Sequence, residues 1–252
     1  VQATLPDQGS VGAVPGSPGA EGGAAVYRIP IEIPPGRAGM QPEVALAYSS
    51  RNGNGLVGVG WSLSAARSIY RCPRTLAQDG AARPVMHDGE DRLCFEGKRL
   101  VATTGEATYG AAGSQYAAEV DPFDRITLEN GMGSWSSRFV VEHKSGRVSV
   151  FEPQRQAYPA GSPPDTWHLV REIDPQGNCI AYGWALASSR ADADAEEWVL
   201  STIDYTGTHS GNALRQRIDA QPRQAQEREL PVVAGTGVLF FIVAVSREAS
   251  SI

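Results

Sequence analysis

The residue string with the plainest chemical suggestion is Gly53-Asn54-Gly55-Leu56-Val57-Gly58, which satisfies G-x-G-x-x-G, follows an extended run and has Asp79 about twenty residues on. In a dinucleotide site those glycines open a helix whose N-terminus faces the pyrophosphate. Here Gly60 and Trp61 follow at once, so the reading preferred is a glycine-rich turn, in which Asn52-Gly53 and Asn54-Gly55 tolerate positive φ, with no cofactor expected. The four histidines, His87, His143, His168 and His209, stand far apart, none beside a G-x-S-x-G elbow, so no triad and no catalytic residue is expected. His87, Asp88, Glu90 and Asp91 concentrate metal-capable side chains without a zinc-type spacing and read as a solvated turn, so no metal is expected. Glu196 and Glu197 are adjacent, which on a strand sends them to opposite faces and rules out a shared acid–base role. Of three cysteines, Cys72 and Cys94 are open to a bridge, but the reading preferred for them is a pair of buried small hydrophobes.

The elements that must carry these residues are short. Extended runs bounded by turn residues fall at 26–33, 44–50, 92–95, 125–129, 138–142, 147–151, 168–174, 179–184 and 198–205. Val148 and Val150 share one face of their run, as do Ile180, Tyr182 and Trp184 of theirs. Lys144-Ser145-Gly146 and Asp174-Pro175-Gln176-Gly177-Asn178 supply the turn chemistry of tight hairpins. The pattern predicts an all-β protein: many short antiparallel strands in a sheet or partial β-shell, with few or no long helices. The best helical stretch, 188–197, has no apolar stripe and reads as a loop.

Composition agrees. The 252 residues include 28 Gly and 17 Pro, which disfavours a bundle of long helices. Net charge is −6 and the arginines are scattered, so no basic stripe is available for nucleic acid. The apolar run 230–245 is interrupted by Pro231, Gly235 and Gly237 and is too short for a membrane helix; its part 238–245 suits a buried strand. Three regions are expected: a flexible Gly/Pro-rich leader over 1–23, a β domain over 24–207 with a sub-boundary near 154–164, and an atypical tail over 208–252 with one apolar strand candidate. Tyr27, Tyr48, Trp61, Trp135, Trp167 and other aromatics recur through the strands. They read as sheet packing, with a sugar- or protein-binding module, exposed at Trp135 or Trp167, as the alternative. Trp61, after the 52–60 turn, is expected in the main core.

From Gly22 to Leu100 the chain resembles the N-terminal domain shared by Salmonella plasmid virulence protein B (SpvB) and the TcaC-type B subunits of insecticidal toxin complexes. The resemblance rests on Gly23-Ala24-Ala25-Val26-Tyr27-Arg28-Ile29-Pro30-Ile31, on Pro34-Pro35-Gly36-Arg37-Ala38-Gly39-Met40-Gln41-Pro42, and on Leu46-Ala47-Tyr48-Ser49-Ser50. It continues through Gly53-Asn54-Gly55-Leu56-Val57-Gly58-Val59-Gly60-Trp61-Ser62-Leu63, Ile69-Tyr70-Arg71-Cys72 and Asp91-Arg92-Leu93-Cys94-Phe95-Glu96-Gly97. Further on, Asp174-Pro175-Gln176-Gly177-Asn178-Cys179-Ile180-Ala181-Tyr182 is similar to the D-x-x-G-N-x-x-x-Y cadence of YD-repeat (Rhs) shell proteins. The resemblance implies a secreted, extracellular virulence or toxin component, cytoplasmic before release and not an enzyme. It also implies a role in a β-rich cocoon that encapsulates a toxic C-terminal segment. The partners implied are other toxin-complex subunits, a pore-forming A subunit and a C subunit or cargo, or the C-terminal remainder of the same protein, with no membrane insertion by this segment. Family members are much longer, and residues 213–252 no longer match, as in a truncated, frame-shifted or excised piece. A fragment of an ADP-ribosylating toxin lacking its catalytic domain is a further alternative, since no Arg, Ser-Thr-Ser and Glu-x-Glu set occurs in order.

Overall fold

The computed structural model describes residues 16–55, 57–105, 108–120, 123–154, 162–186, 198–208, 216–222 and 241–247, with Asn54, Gly55 and the last two segments by backbone alone. The stretch 188–197 and residues 1–15 of the leader lie outside the described residues, as does His209. Nearly all regular structure is antiparallel β, and the chain divides into two compact units.

The smaller unit, comprising residues 1–33, 43–65 and 230–239, holds a four-stranded sheet. A hairpin pairs β1 (Ser17–Glu21) with β2 (Ala24–Pro30) through Gly22 and Gly23, both left-handed at φ 54° and 80°, so a strand forms inside the stretch whose composition reads as leader. Next come β3 (Ala45–Ser49), the two-residue pair β4 (Asn54–Gly55) and β5 (Gly58–Val59), and β6 (Trp61–Leu63), which closes the order β1-β2-β3-β6. The G-x-G-x-x-G string is therefore a tiny hairpin, with no helix behind it. Gly60, at φ 80°, is required where it stands: a Cβ there would meet the Tyr48 ring at 2.4 Å. Trp61 departs from expectation. It is half-buried on an open sheet, its ring 5.4 Å from that of Tyr48 and 6.4 Å edge-on to Tyr27, because a four-stranded sheet has no interior in which to enclose an indole.

The larger unit, comprising residues 34–42, 66–229 and 240–252, is built on a closed barrel. Its wall is β7 (Ser68–Cys72), β8 (Arg92–Phe95), β9 (Lys98–Ala102), β10 (Gln115–Ala118), β11 (Arg125–Glu129), β12 (Arg138–Glu142), β13 (Val148–Pro153) and β14 (Thr166–Ile173). Each pairs with the next, and β14 returns to β7, so eight strands close up-and-down and no edge is left in the ring. The single α-helix among the described residues, α1 (Leu76–Asp79), is one turn, capped by the Thr75 side chain and stopped by left-handed Gly80. The far edge of β14 forks: Thr166–His168 pair with β7, and Arg171–Ile173 pair with β15 (Asn178–Leu186). From there the sheet runs on through β16 (Trp198–Thr208), β17 (Gln216–Pro222) and β18 (Phe241–Arg247). The last overlaps the apolar run expected at 238–245.

The two hairpin signals act alike. Gly146 N–H donates to His143 O and Gly177 N–H to Asp174 O, each glycine at φ 80°, and Asp174 Oδ1 also accepts from the N–H groups of Gln176 and Asn178. That is why Asp174, Gly177 and Asn178 stand at those spacings. In the segment carrying Pro35, Gly36, Gly39 and Pro42, the turn Arg37–Met40 closes through Met40 N–H to Arg37 O at 2.9 Å, with Ala38 (φ 52°) and Gly39 (φ 79°) both left-handed. Gly36 is required by its neighbour, since a Cβ would sit 1.9 Å from Met40 O. Alanine carries a steric penalty in this conformation that asparagine largely escapes. Ala38→Asn is therefore expected to stabilise by about 0.5–1 kcal/mol, read as a higher urea midpoint; an unchanged or lower midpoint would show that the turn is unstrained.

The expectation for the cysteines is overturned as well. Cys72 and Cys94 are disulfide-bonded, with Cα atoms 5.8 Å apart. The β7–β8 register places Cys72 opposite Arg92 and Cys94 opposite Tyr70, so the two are diagonal neighbours on one face. Cys179 is free and buried.

Candidate functional site

The barrel interior is apolar in its middle and charged at both ends. The middle holds Ile69, Leu93, Phe95, Leu100, Tyr116, Ile126, Leu128, Phe139, Val141, Phe151, Trp167 and Leu169, all with 5% exposure or less. Aromatic rings meet edge to face, Phe139 with Trp167 at 5.0 Å and Phe95 with Phe151 at 5.4 Å. Trp167, one of the two aromatics proposed for sugar stacking, is a core residue with no exposure. Trp135 is half-buried, and its Nε1 donates to Ser162 O.

One end is closed by Arg71 and Asp91, which are 2% and 1% exposed and joined at 3.1 Å. Arg71 projects from β7, and its guanidinium also donates to the carbonyls of Pro164, Asp88 and Met132, each at 2.8 Å. Asp91, at the entry to β8, accepts from the N–H groups of Met86 and Asp88 as well. One ion pair thus ties three loops across the barrel mouth. Beside it, Asp79 of α1 receives Arg92 Nε at 2.8 Å and Arg99 Nη2 at 2.9 Å. Burial pushes the Asp79 carboxyl up, but the hydrogen bonds from Arg92 and the Thr75 N–H and the charges of Arg99 and Arg92 outweigh it, so its pKa is held below the usual carboxylate value. Asp88, Glu90 and Asp91 are thus committed to arginines and backbone and His87 lies against Asp165, and among the described residues no metal-holding group occurs.

The opposite end is a second polar network. Glu172 accepts from Tyr182 Oη at 2.6 Å, from Ser149 Oγ at 3.3 Å and from Arg67, which in turn binds Glu96. Burial, followed by the Glu172 charge and hydrogen bond, holds the Tyr182 phenol well above its ordinary pKa. Next to it stand three residues that sequence reading keeps apart: Asp124 Oδ2 lies 2.8 Å from His143 Nδ1, and His143 Nε2 lies 2.8 Å from Ser149 Oγ. The order matches a nucleophile, base and orienting acid. Ser149, however, is wholly buried and faces the barrel interior beside Phe151, so its hydroxyl serves Glu172 and the wall. Among the remaining motif residues, Asn52 and Gly53 lie in the turn before β4, and Gly97 shares the β8–β9 turn with Glu96, both left-handed.

His168 lies on the outer face of β14, its ring 4.2 Å from that of Trp184, and its Nδ1 is buried without a hydrogen-bond partner. Burial lowers its pKa to about 4. An unfolded chain binds that proton near pH 6.5 and the folded one does not, so the contribution is whole above 6.5 and is lost as pH falls from there towards 4. Stability is expected to drop by about 2–3 kcal/mol across that interval, and His168→Gln should remove most of the slope. Equal slopes in both chains would show that another group carries it.

The fold so described is that of an all-antiparallel β protein with a barrel plugged at each mouth by buried charge. Residues 19–121 match the family described as SpvB, Salmonella virulence plasmid 65kDa B protein. The structure is similar to TcdB2-TccC3 (18% identity, TM-score 0.64, covering 98% of this chain and 14% of that one). It is also similar to a Photorhabdus luminescens Tc holotoxin pore carrying a TccC3 mutation (16%, 0.62, 93% and 13%). A third similar structure is the N-terminal domain of effector protein SpvB from Salmonella typhimurium strain LT2 (21%, 0.55, 75% and 70%). The chain thus spans about one seventh of the toxin-complex chains it resembles. No curated protein matches it. Among the described residues no helix is long and apolar enough to cross a membrane.

Proposed function

We propose that this chain is a non-catalytic structural domain of a secreted toxin-complex or virulence protein, forming part of a β-rich cocoon around a toxic segment and docking a partner subunit. The observation that carries this reading is the similarity along 98% of the chain to TcdB2-TccC3, joined to the SpvB match over 19–121. The disposition of charge supports it. Arg71, Asp91, Arg67 and Glu172 are committed to the protein's own loops and strands, and the Asp124-His143-Ser149 array is closed to substrate. The binding module built on Trp167 is not favoured, since that ring is enclosed.

A shell protects its contents by pairing every sheet edge. Among the described residues nothing pairs with the outer edge of β18, although it is one of the most apolar strands in the chain. The isolated chain should therefore self-associate, and light scattering across a concentration series tests this. Mass rising with concentration supports the reading. A monomer that stays monomeric at high concentration and unfolds cooperatively would overturn it.

A further inference from the structure

The disulfide between Cys72 and Cys94 closes a lobe, residues 73–91, that has no apolar core. From residue 73 to residue 90 no apolar side chain is buried, and Leu76 and Met86 are 71% and 56% exposed. What holds the lobe is charge and covalency. Arg74 pairs with Glu90, Arg83 with Asp88, Asp79 with Arg92 and Arg99, and the Arg74 and Arg83 backbones bond to each other in both directions. At its base sit the bridge and the Arg71–Asp91 pair. Apart from the Asp79 carboxylate, buried against Arg92 and Arg99, and the buried Arg71–Asp91 pair at the base, the lobe is ordered by exposed polar contacts, and a segment so held opens with less free energy than the fully packed barrel behind it. The crosslink removes conformational freedom from the opened lobe and so favours the closed one.

We propose that Cys72–Cys94 is a redox-cleavable clasp, and that a dithiol reductant opens the 73–91 lobe while the barrel stays folded. The chemistry is ordinary thiol–disulfide exchange. A reductant thiolate attacks Sγ of Cys94, the less buried residue of the two, and the sulfur of buried Cys72 leaves as thiolate. The reductant's second thiol then attacks its own sulfur in the mixed disulfide and departs as a cyclic disulfide. Two electrons pass to the protein, and both cysteines end as thiols after taking up two protons. The lobe is then ordered where the chain meets oxidising surroundings and released where it enters reducing ones.

Hydrogen exchange read by mass spectrometry on the full chain, with and without dithiothreitol, tests the proposal; Cys179→Ser is used throughout to prevent reshuffling. Amides of residues 74–91 are expected to exchange about tenfold faster or more after reduction, while those of β10 to β13 keep their protection. Cys72→Ser with Cys94→Ser should show the fast lobe without reductant and no response to it. Equal lobe exchange in oxidised and reduced chain would overturn the proposal. So would loss of barrel protection together with the lobe, or two free thiols in the unreduced Cys179→Ser protein.

Discussion

Asp91→Ala is expected to destabilise the larger unit by about 3–5 kcal/mol, because it strands a buried guanidinium and leaves two backbone donors without their acceptor. Arg71 would keep the carbonyls of Pro164, Asp88 and Met132, which are dipoles and cannot neutralise its charge, while the Met86 and Asp88 N–H groups would lose the carboxylate. Against a total stability of about 5–15 kcal/mol this is a large share. Urea unfolding followed by tryptophan fluorescence measures it. The double change Arg71→Met with Asp91→Leu should cost clearly less than the sum of the single changes, because removing both charges removes the desolvation penalty with the attraction. A loss below about 1 kcal/mol for Asp91→Ala would mean that water solvates the pair and that the mouth is open.

This pair also marks where sequence reading stops. Strands at 92–95, 125–129 and 138–142 fall at the expected residues, since each is a short alternating run fenced by turn residues. The hairpins at 144–146 and 174–178 are legible for a similar reason: their hydrogen bonds are local, and Gly146, Asp174 and Gly177 are selected by the turn itself. By contrast β7, β9 and β10 lie outside the expected extended runs. β7 and β9 put Arg71 and Arg99 at buried positions, which breaks the apolar alternation that announces a strand. The turn 87–91 reads as solvated, and residues 87–90 are exposed; nothing local distinguishes Asp91, whose burial depends on an arginine twenty residues back. The disulfide is hidden likewise, because pairing follows the β7–β8 register and spacing alone does not reveal it. The same holds for Asp124, His143 and Ser149, brought together only when β11, β12 and β13 lie side by side. What is local in the chain is legible, and what needs the barrel to close is not.

Trp167→Ala is expected to cost about 3–5 kcal/mol, the upper range for emptying a fully enclosed aromatic site. The indole has no exposure, its ring meets Phe139 edge-on at 5.0 Å, and its Nε1 donates to Ser137 Oγ at 2.8 Å. The ring also lies beneath the Arg71 guanidinium, whose carbon is 6.0 Å from the ring centroid, so it is the floor on which the charged plug rests. Trp167→Phe keeps most of the apolar area and loses the donor, and should cost about 1–2 kcal/mol. Trp61→Ala, on the half-buried face of the smaller unit's sheet, should cost less than Trp167→Ala, because a ring that keeps solvent contact when folded has less area to lose. If the floor and the plug act as one unit, Trp167→Ala combined with Asp91→Ala will fall short of additivity by about 1 kcal/mol or more, since either change alone already lets water reach Arg71. Strict additivity in the unfolding midpoints would separate the aromatic core from the charged mouth and make the Arg71–Asp91 pair a tie between loops with no part in sealing the barrel.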